Sequence, residues 1–446
     1  MPNLTNPYQS PLAEALSQRS NKAPGKTSLL LVFVIVCIDL LGFGLVLPLL
    51  PIYGKKLVAG LPPAQGGMIV GMLMASFPLM QFIFSPLWGR LSDRLGRRPV
   101  LLMSLAGSMF FYACFGLASL LQSLTWMFVA RIGAGIAAAT IPTAQAYIAD
   151  VTPREKRARG MAMIGAAFGL GFTLGPLIGA AAIFLSRDQS AVSPWPGLAA
   201  AILSGMALLV AFFKLPESLR ADELPEARRH FDLGALRDIL AIPSVGLLLV
   251  TSFAAVFSLA NFECTLSFTI SDTISQKIHH LAKTTPDWRD QFWLMLVFAY
   301  IGVIQCLVQG LLVRRLANHL SEAVLATIGS LLSVAGFVML AILGGGTRGG
   351  VGWLMAATAV EVSGIAFVFP AISSLISRRS DPAKQGGILG AGESVSSIAR
   401  ITGFGVGVPL YYLNHRLPFE TAAVLMAVAL VLILTAVRAG GDWSEG

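Results

Sequence analysis

Long apolar stretches recur along almost the whole of this 446-residue chain, and they restrict its fold more than any other feature. Each stretch has 18 or more residues, and about 20 apolar residues in a helix cross the roughly 30 Å hydrocarbon core of a bilayer. Only 12% of the residues are charged, against about a quarter in soluble domains. We therefore predict an all-α membrane protein with twelve transmembrane helices, at 29–52, 68–88, 99–121, 124–149, 160–184, 196–215, 244–271, 291–313, 323–343, 351–376, 386–413 and 419–438.

The distribution of basic residues predicts the orientation of these spans. With both termini in the cytoplasm, 22 of the 32 Lys and Arg residues lie on the cytoplasmic side and 8 lie outside. This positive-inside bias accounts for the net charge of +9, so we expect no nucleic-acid partner. We expect an uncleaved, multi-pass protein of the cell membrane, because no small-residue cleavage site follows a short apolar segment. The four cysteines have no C-x-x-C spacing, which indicates neither a disulfide framework nor a metal site.

The chain divides into two halves of six spans. We predict a polar tail (1–27), a first bundle (28–215), a linker (216–243), a second bundle (244–438) and a tail (439–446). Each half has a basic loop between its second and third spans, GRLSDRLGRRPVLL from Gly89 and GLLVRRLANHLSE from Gly310. Their equivalent positions favour an internal duplication with both halves in the same orientation.

The first basic loop contains two glycines and an acid that a positive charge alone would not require. Gly89 removes a side chain where two helices could approach, Gly96 permits a tight turn, and Asp93 can cap a helix or pair with arginine. A loop that serves only the positive-inside rule is the alternative. The loop residues that we single out are Gly89, Asp93, Arg94, Gly96, Arg97 and Arg98.

Charged residues also interrupt the apolar stretches themselves. A charge within the bilayer is costly unless it is paired or faces a polar cavity, so each is a candidate for proton coupling or substrate contact. Counting the rise of the helices places Asp39 and Arg131 at similar depths, where they could meet. Static ion pairs that only specify packing are the alternative. The candidates are Asp39, Arg131, Glu263, Glu361, Glu393 and Arg400.

The predicted fifth span is rich in glycine, in GAAFGLGFTLGPLIGA (165–180). Small residues at four-residue spacing let helix backbones pack closely, and proline bends the helix. Helix packing without a further role would give a similar pattern. The residues of this stretch are Gly165, Gly169, Gly171, Gly175, Pro176 and Gly179.

Several of these segments resemble the major facilitator superfamily. The first loop resembles the loop motif of that family, and G-x-x-x-G-P-x-x-G is similar to the motif of its antiporter branch. The first and fifth spans resemble drug:proton antiporters related to tetracycline-resistance proteins and their animal relatives. Phe111, however, stands where the bacterial tetracycline carriers have an aspartate, and the predicted ninth span has no acid.

The resemblance implies a major facilitator fold and a secondary transporter that works by alternating access. A proton on Asp39, Glu361 or Glu393 would drive the export of an amphiphilic organic solute, and Asp93 would hold the inner gate shut. We expect a monomer without a cofactor, whose partners are this solute, protons and the bilayer. Arg131 and Arg400 favour an anionic or zwitterionic solute.

Two alternatives stay open, a symporter or facilitator of a metabolite and a non-transporting receptor, scramblase or scaffold. No G-x-x-x-x-G-K-[ST] phosphate loop is present, and we expect no enzymatic activity.

Overall fold

A computed structural model of the chain describes residues 26–138, 141–152, 157–187, 192–218, 243–281, 287–344, 350–380 and 385–439. No strand occurs in these ranges. Both predicted tails, apart from residues 26–27 and 439, and residues 219–242 of the predicted linker lie outside them.

The helices follow the predicted apolar stretches. In the first half they are α1 Lys26–Val46, α2 Leu50–Leu57, α3 Pro63–Leu95, α4 Arg97–Leu120, α5 Leu124–Ala137, α6 Ile141–Val151, α7 Arg157–Ser186 and α8 Trp195–Lys214. In the second half they are α9 Pro243–Leu281, α10 Asp287–Leu307, α11 Arg314–Leu316, α12 Glu322–Gly344, α13 Gly350–Arg378, α14 Gln385–Leu413 and α15 Leu417–Ala439, with a π-helical segment Val308–Val313 between α10 and α11.

Within the described ranges, eleven spans are long and apolar enough to cross a membrane. The exception among the twelve predicted stretches is α14, where serine, glycine, Glu393 and Arg400 dilute the apolar residues. The first span is not one continuous helix, because a turn separates α1 from α2 near Pro48. Proline has no N–H group for the helical hydrogen bond, so an interruption is expected there.

Each half packs within itself, and two helix pairs join the halves. The most extensive contacts between halves are those of α3 with α14 and of α7 with α10. We call the side of the molecule that carries the turn at Gly96 and the loop 317–321 the basic side. The side that carries residues 58–62 and 414–416 is the opposite side.

The two halves are in contact on the opposite side. The Tyr53 hydroxyl donates a hydrogen bond to Gln291 Oε1 at 2.9 Å, and Lys55 Nζ lies 3.4 Å from Asp272 Oδ1. Gly67 lies so close to the Tyr412 ring that a Cβ atom at this glycine would be 3.0 Å from it. These contacts close the molecule at its opposite side.

Candidate functional site

A cavity of about 410 Å³ lies between the halves. It extends from Phe43 and Phe77 to Gly89 on α3 and Gly390 on α14, toward the basic side. Its first-half walls come from α1, α3, α4, α6 and α7, and its second-half wall comes from α14. Its charged lining residues are Asp39, Glu393 and Arg400. The cavity and the closed opposite side together describe a conformation open toward the basic side.

The last described turn of α5 lies on the cavity wall, and side chains of other helices donate hydrogen bonds to its carbonyl groups. Trp88 Nε1 donates to the carbonyl of residue 136 at 2.6 Å, Ser104 Oγ to that of residue 137 at 2.9 Å, and Gln81 Nε2 to that of residue 138 at 3.2 Å. Free carbonyls are costly within a membrane, and non-helical backbone is tolerated where it is buried or lines a cavity. These three donors therefore satisfy carbonyl groups at the C-terminal end of α5.

Asp39 lies on the first-half wall of the cavity. Its side chain is half-buried, and Ser108 Oγ on α4 donates a hydrogen bond to Asp39 Oδ1 at 2.8 Å. Among the described residues, the carboxyl group therefore has one hydrogen-bond donor, and it also borders the cavity, where a proton or a solute can reach it. Sequence analysis did not identify Ser108, because a serine in an apolar span is ordinary.

Arg131 is not where the sequence predicted it. It is 1% exposed, it does not line the cavity, and its guanidinium carbon lies 4.6 Å from the centre of the Phe77 ring. None of its side-chain nitrogens has a hydrogen-bond acceptor among the described residues, and Tyr112 interacts electrostatically with both Arg131 and Asp39. Asp39 and Arg131, which the sequence places at depths where they could meet, are not hydrogen-bonded to each other in this conformation, because equal depth does not place two side chains on facing sides of their helices.

The four charged residues of the second half form a connected series. Glu361 interacts electrostatically with Glu263, Glu263 with Arg400, and Arg400 with Glu393. Glu361 and Glu263 are buried, whereas Glu393 and Arg400 border the cavity. In the part of the chain that the structure describes, no group of three or more His, Cys, Asp or Glu side chains could hold a metal ion.

The first basic loop is the centre of a network within the first half. Arg97 is buried, hydrogen-bonds Asp93, and places its Nε 3.3 Å from Asp150 Oδ2. The Glu217 carboxylate accepts the backbone N–H groups of Arg97 at 2.8 Å and Arg98 at 3.1 Å, at the first turn of α4. A carboxylate is favourable at this position because it satisfies free N–H groups at the positive end of the helix dipole.

Two acids of this network were missed from the sequence. Asp150 ends the predicted fourth span, and Glu217 begins the linker, on the same side as the basic loop. Pairing acids and bases among neighbouring loops on one side of the membrane would have suggested both. The described partner of Asp93 is Arg97, which lies in the same half.

The two glycines of the loop differ in their surroundings. Gly96 has a φ of +100°, which favours glycine, and a Cβ atom there would collide with the Glu217 carboxylate. A Cβ atom on Gly89 would have no neighbouring atom within 4 Å, and this glycine instead borders the cavity. The expected close approach of two helices at Gly89 is therefore absent from this conformation. Arg94 is exposed on the basic side.

The glycines of α7 face different neighbours. Gly171 and Gly175 face α1, where a Cβ atom on Gly171 would lie 2.7 Å from Leu40 Cβ and one on Gly175 2.9 Å from Gly44 Cα. A Cβ atom on Gly165 would have no neighbour within 4 Å.

Two other glycines of this stretch face α10 in the second half. A Cβ atom on Gly179 would collide with Met295, and one on Gly169 would lie 3.5 Å from Cys306 Sγ. Pro176 lies inside α7, which continues through it to Ser186. The stretch therefore packs the first half together through α1 and also forms part of the interface between the halves.

Comparison with known proteins identifies the family and the relatives to which the chain is similar. Residues 32–404 match a family model described as the Major Facilitator Superfamily. The class E tetracycline resistance protein of Escherichia coli is 32% identical over 380 residues, which cover 84% of this chain and 86% of that protein.

Two further similarities involve an animal protein. Major facilitator superfamily domain-containing protein 10 of Bos taurus is 29% identical over 466 residues, covering 94% of each chain. The crystal structure of the human organic anion transporter MFSD10 (TETRAN) superposes with a TM-score of 0.65 and 27% identity, over 92% of this chain and 99% of that one.

Proposed function

Because the chain belongs to the Major Facilitator Superfamily, we propose that it is a proton-coupled antiporter that exports an amphiphilic organic solute by alternating access. The family consists of transporters, so the chain is a multi-pass membrane transporter and not an enzyme. We propose the coupling to protons, the class of solute and the direction of transport.

The position of Asp39 is the observation that carries the proposal. It combines access to the central cavity with a single protein hydrogen bond, from Ser108. A carboxyl group in this position can hold a proton when the cavity is empty and lose it when a positively charged group arrives. Glu393 provides a second carboxyl group on the wall of the other half.

The cavity favours a zwitterionic amphiphile. Two carboxyl groups and one guanidinium group line it, while Arg131 is behind the Phe77 ring and does not reach it. Among the described residues, the expected basic character of the cavity therefore rests on Arg400, and Asp39 and Glu393 favour a positive group on the solute. Aromatic side chains such as Phe43 would contact its apolar part. The relatives named for tetracycline resistance and for organic anion transport support an organic solute.

The basic side is proposed to be cytoplasmic, with both termini there and the protein a monomer in the cell membrane. The positive-inside bias supports this orientation. With it, the conformation described above is open toward the cytoplasm, where an exporter takes up its solute.

Flux through purified protein in sealed proteoliposomes tests the proposal. Tetracycline, fluorescein and tetraphenylphosphonium serve as zwitterionic, anionic and cationic probes, each measured with and without an imposed pH gradient. We expect gradient-driven counterflow of the zwitterion, lost in Asp39→Asn and kept in the control Glu420→Gln, which removes an exposed carboxylate from α15. Gradient-independent flux would indicate a facilitator, and absence of flux with every probe would indicate a non-transporting protein.

A further inference from the structure

Glu361 is the most completely buried acid among the candidates. Its side chain is 0% exposed, and neither carboxyl oxygen has a hydrogen-bond partner among the described residues. It does not line the cavity, in contrast to Asp39 and Glu393. Direct contact with the solute therefore does not explain why an acid is present at position 361.

Close helix packing encloses this carboxyl group. A Cβ atom at Gly336 on α12 would lie 2.6 Å from the Glu361 backbone, so α12 and α13 touch through their main chains here. Ser333 Oγ, one turn before Gly336 on α12, lies against Gly364 on α13 and is itself buried without a hydrogen-bond partner among the described residues. Tyr300 on α10 also faces α13, but its hydroxyl donates to the carbonyl of residue 355.

The charged side chain that acts electrostatically on Glu361 is another acid. Glu263 on α9 interacts with Glu361, and within the described ranges no cation compensates this interaction at Glu361 itself. Arg400 instead interacts with Glu263 and with Glu393, which borders the cavity. The charge of Glu263 therefore has a compensating cation, whereas that of Glu361 has none in the part of the chain that the structure describes.

The chemistry of this arrangement favours a proton on Glu361. An ionised carboxylate without a donor is costly in an apolar interior, and two neighbouring carboxylates are not both readily charged. Adding a proton to Glu361 removes both costs, while the negative charge of Glu263 remains balanced by Arg400.

We infer that Glu361 is a proton-binding site within the second half, separate from the solute cavity and linked to it through Glu263, Arg400 and Glu393. The inference rests on the proposed antiport and adds to Asp39 a second carboxyl group that binds a proton. A proton comes from cavity water, and Arg400 interacts both with Glu393 on the cavity wall and with Glu263, which acts on Glu361. Binding converts the Glu361 carboxylate to a neutral carboxylic acid, and release returns the proton to water.

Glu361→Gln in proteoliposomes separates this site from the solute site. We expect tetracycline flux driven by a pH gradient to fall by about tenfold or more, corresponding to about 1.4 kcal/mol in the transition state. Exchange of labelled for unlabelled tetracycline without a gradient should persist, because the cavity is unchanged. Glu361→Asp, which keeps a carboxyl group, should retain part of the driven flux, and Glu420→Gln should retain all of it. Driven flux in Glu361→Gln equal to that of the parent would overturn the inference and leave antiport intact.

An infrared measurement requires neither solute nor variant flux. The parent protein at about neutral pH should show the carbonyl stretch of a protonated carboxylic acid, because solvated carboxyl groups are ionised at that pH. Glu361→Gln should weaken this band, and Asp39→Asn should leave the part that belongs to Glu361. A parent spectrum without the band would overturn the assignment even if Glu361→Gln failed to fold. Absence of gradient-driven flux in the parent would contradict the proposed antiport instead.

Discussion

Replacing Gly171 with alanine should force α1 and α7 apart. The new Cβ atom would lie 2.7 Å from Leu40 Cβ and 2.9 Å from the Leu40 carbonyl oxygen. The contacted atoms are backbone or directly attached to it, so a change of rotamer cannot relieve the collision. Gly165→Ala is the matched control in the same helix, because its Cβ atom would meet nothing within 4 Å.

The expected magnitude follows from these distances. Ordinary contact begins at 3.4 Å, so the helices must separate locally by about 0.7 Å, and a gap of this size forfeits a quarter to a half of the dispersion energy at the interface. Overpacking of this kind costs about 1–3 kcal/mol. Both variants gain the same helix preference of alanine over glycine, about 0.5–1 kcal/mol, which cancels in the comparison. Gly171→Ala should therefore be less stable than Gly165→Ala by about 1–3 kcal/mol.

Unfolding of the purified variants in mixed micelles of increasing SDS content, followed by circular dichroism, measures this difference. Membrane helices associate through close packing and not through the hydrophobic effect, so the lost contacts should appear directly in the free energy of unfolding. Equal stability of the two variants, within about 0.5 kcal/mol, would refute the argument from packing.

Two further predictions concern the two sides of the molecule. Gly96→Ala should destabilise the protein by about 1–3 kcal/mol in the same unfolding assay, because its left-handed backbone and the Glu217 carboxylate leave no room for a side chain; Gly89→Ala should not, since its Cβ would meet open space. Asp272→Asn removes the partly exposed ion pair with Lys55, so spin-label distances across the opposite side should report at most about a fivefold shift toward opening. A larger shift, or unchanged stability after Gly96→Ala, would contradict the respective assignment.

The sequence predicted the helices well because apolar length is a strong signal. Its failures lie where local chemistry interrupts that signal. The carbonyl groups at the end of α5 accept hydrogen bonds from Trp88, Ser104 and Gln81, three side chains distant in sequence, so no window around residue 137 could reveal these contacts. The turn after α1, in contrast, could have been expected from Pro48 and Pro51.

The candidate site shows a different limit. Depth in the membrane can be counted from the sequence, and it identified the intramembrane charges as residues to examine. The side of a helix from which a residue faces its neighbours depends on how the helices pack. Arg131 therefore lies at a depth where it could meet Asp39 but packs against Phe77. The same limit concealed the difference between Gly171, which touches α1, and Gly165, where a side chain would meet open space.

The two halves also differ in the ion pairs near their basic loops. In the first half Arg97 is buried and pairs with two acids that are 22% and 29% exposed, so breaking this network costs more than breaking a surface pair and less than the roughly 3–5 kcal/mol of a fully buried one. The second loop has no acid at the equivalent position, and Glu322 at the start of α12 pairs instead with Arg378 at the end of α13.

The Arg378 side chain is 51% exposed, so this pair contributes about 0–1 kcal/mol. The helices α12 and α13, which enclose Glu361, are therefore joined on the basic side by an ion pair whose arginine is more exposed than Arg97 in the first half. If the halves differ in rigidity in this way, a change in the charge of Glu361 acts on the less constrained part of the protein. A small electrostatic change can then alter helix packing in the second half while the first half moves as one body.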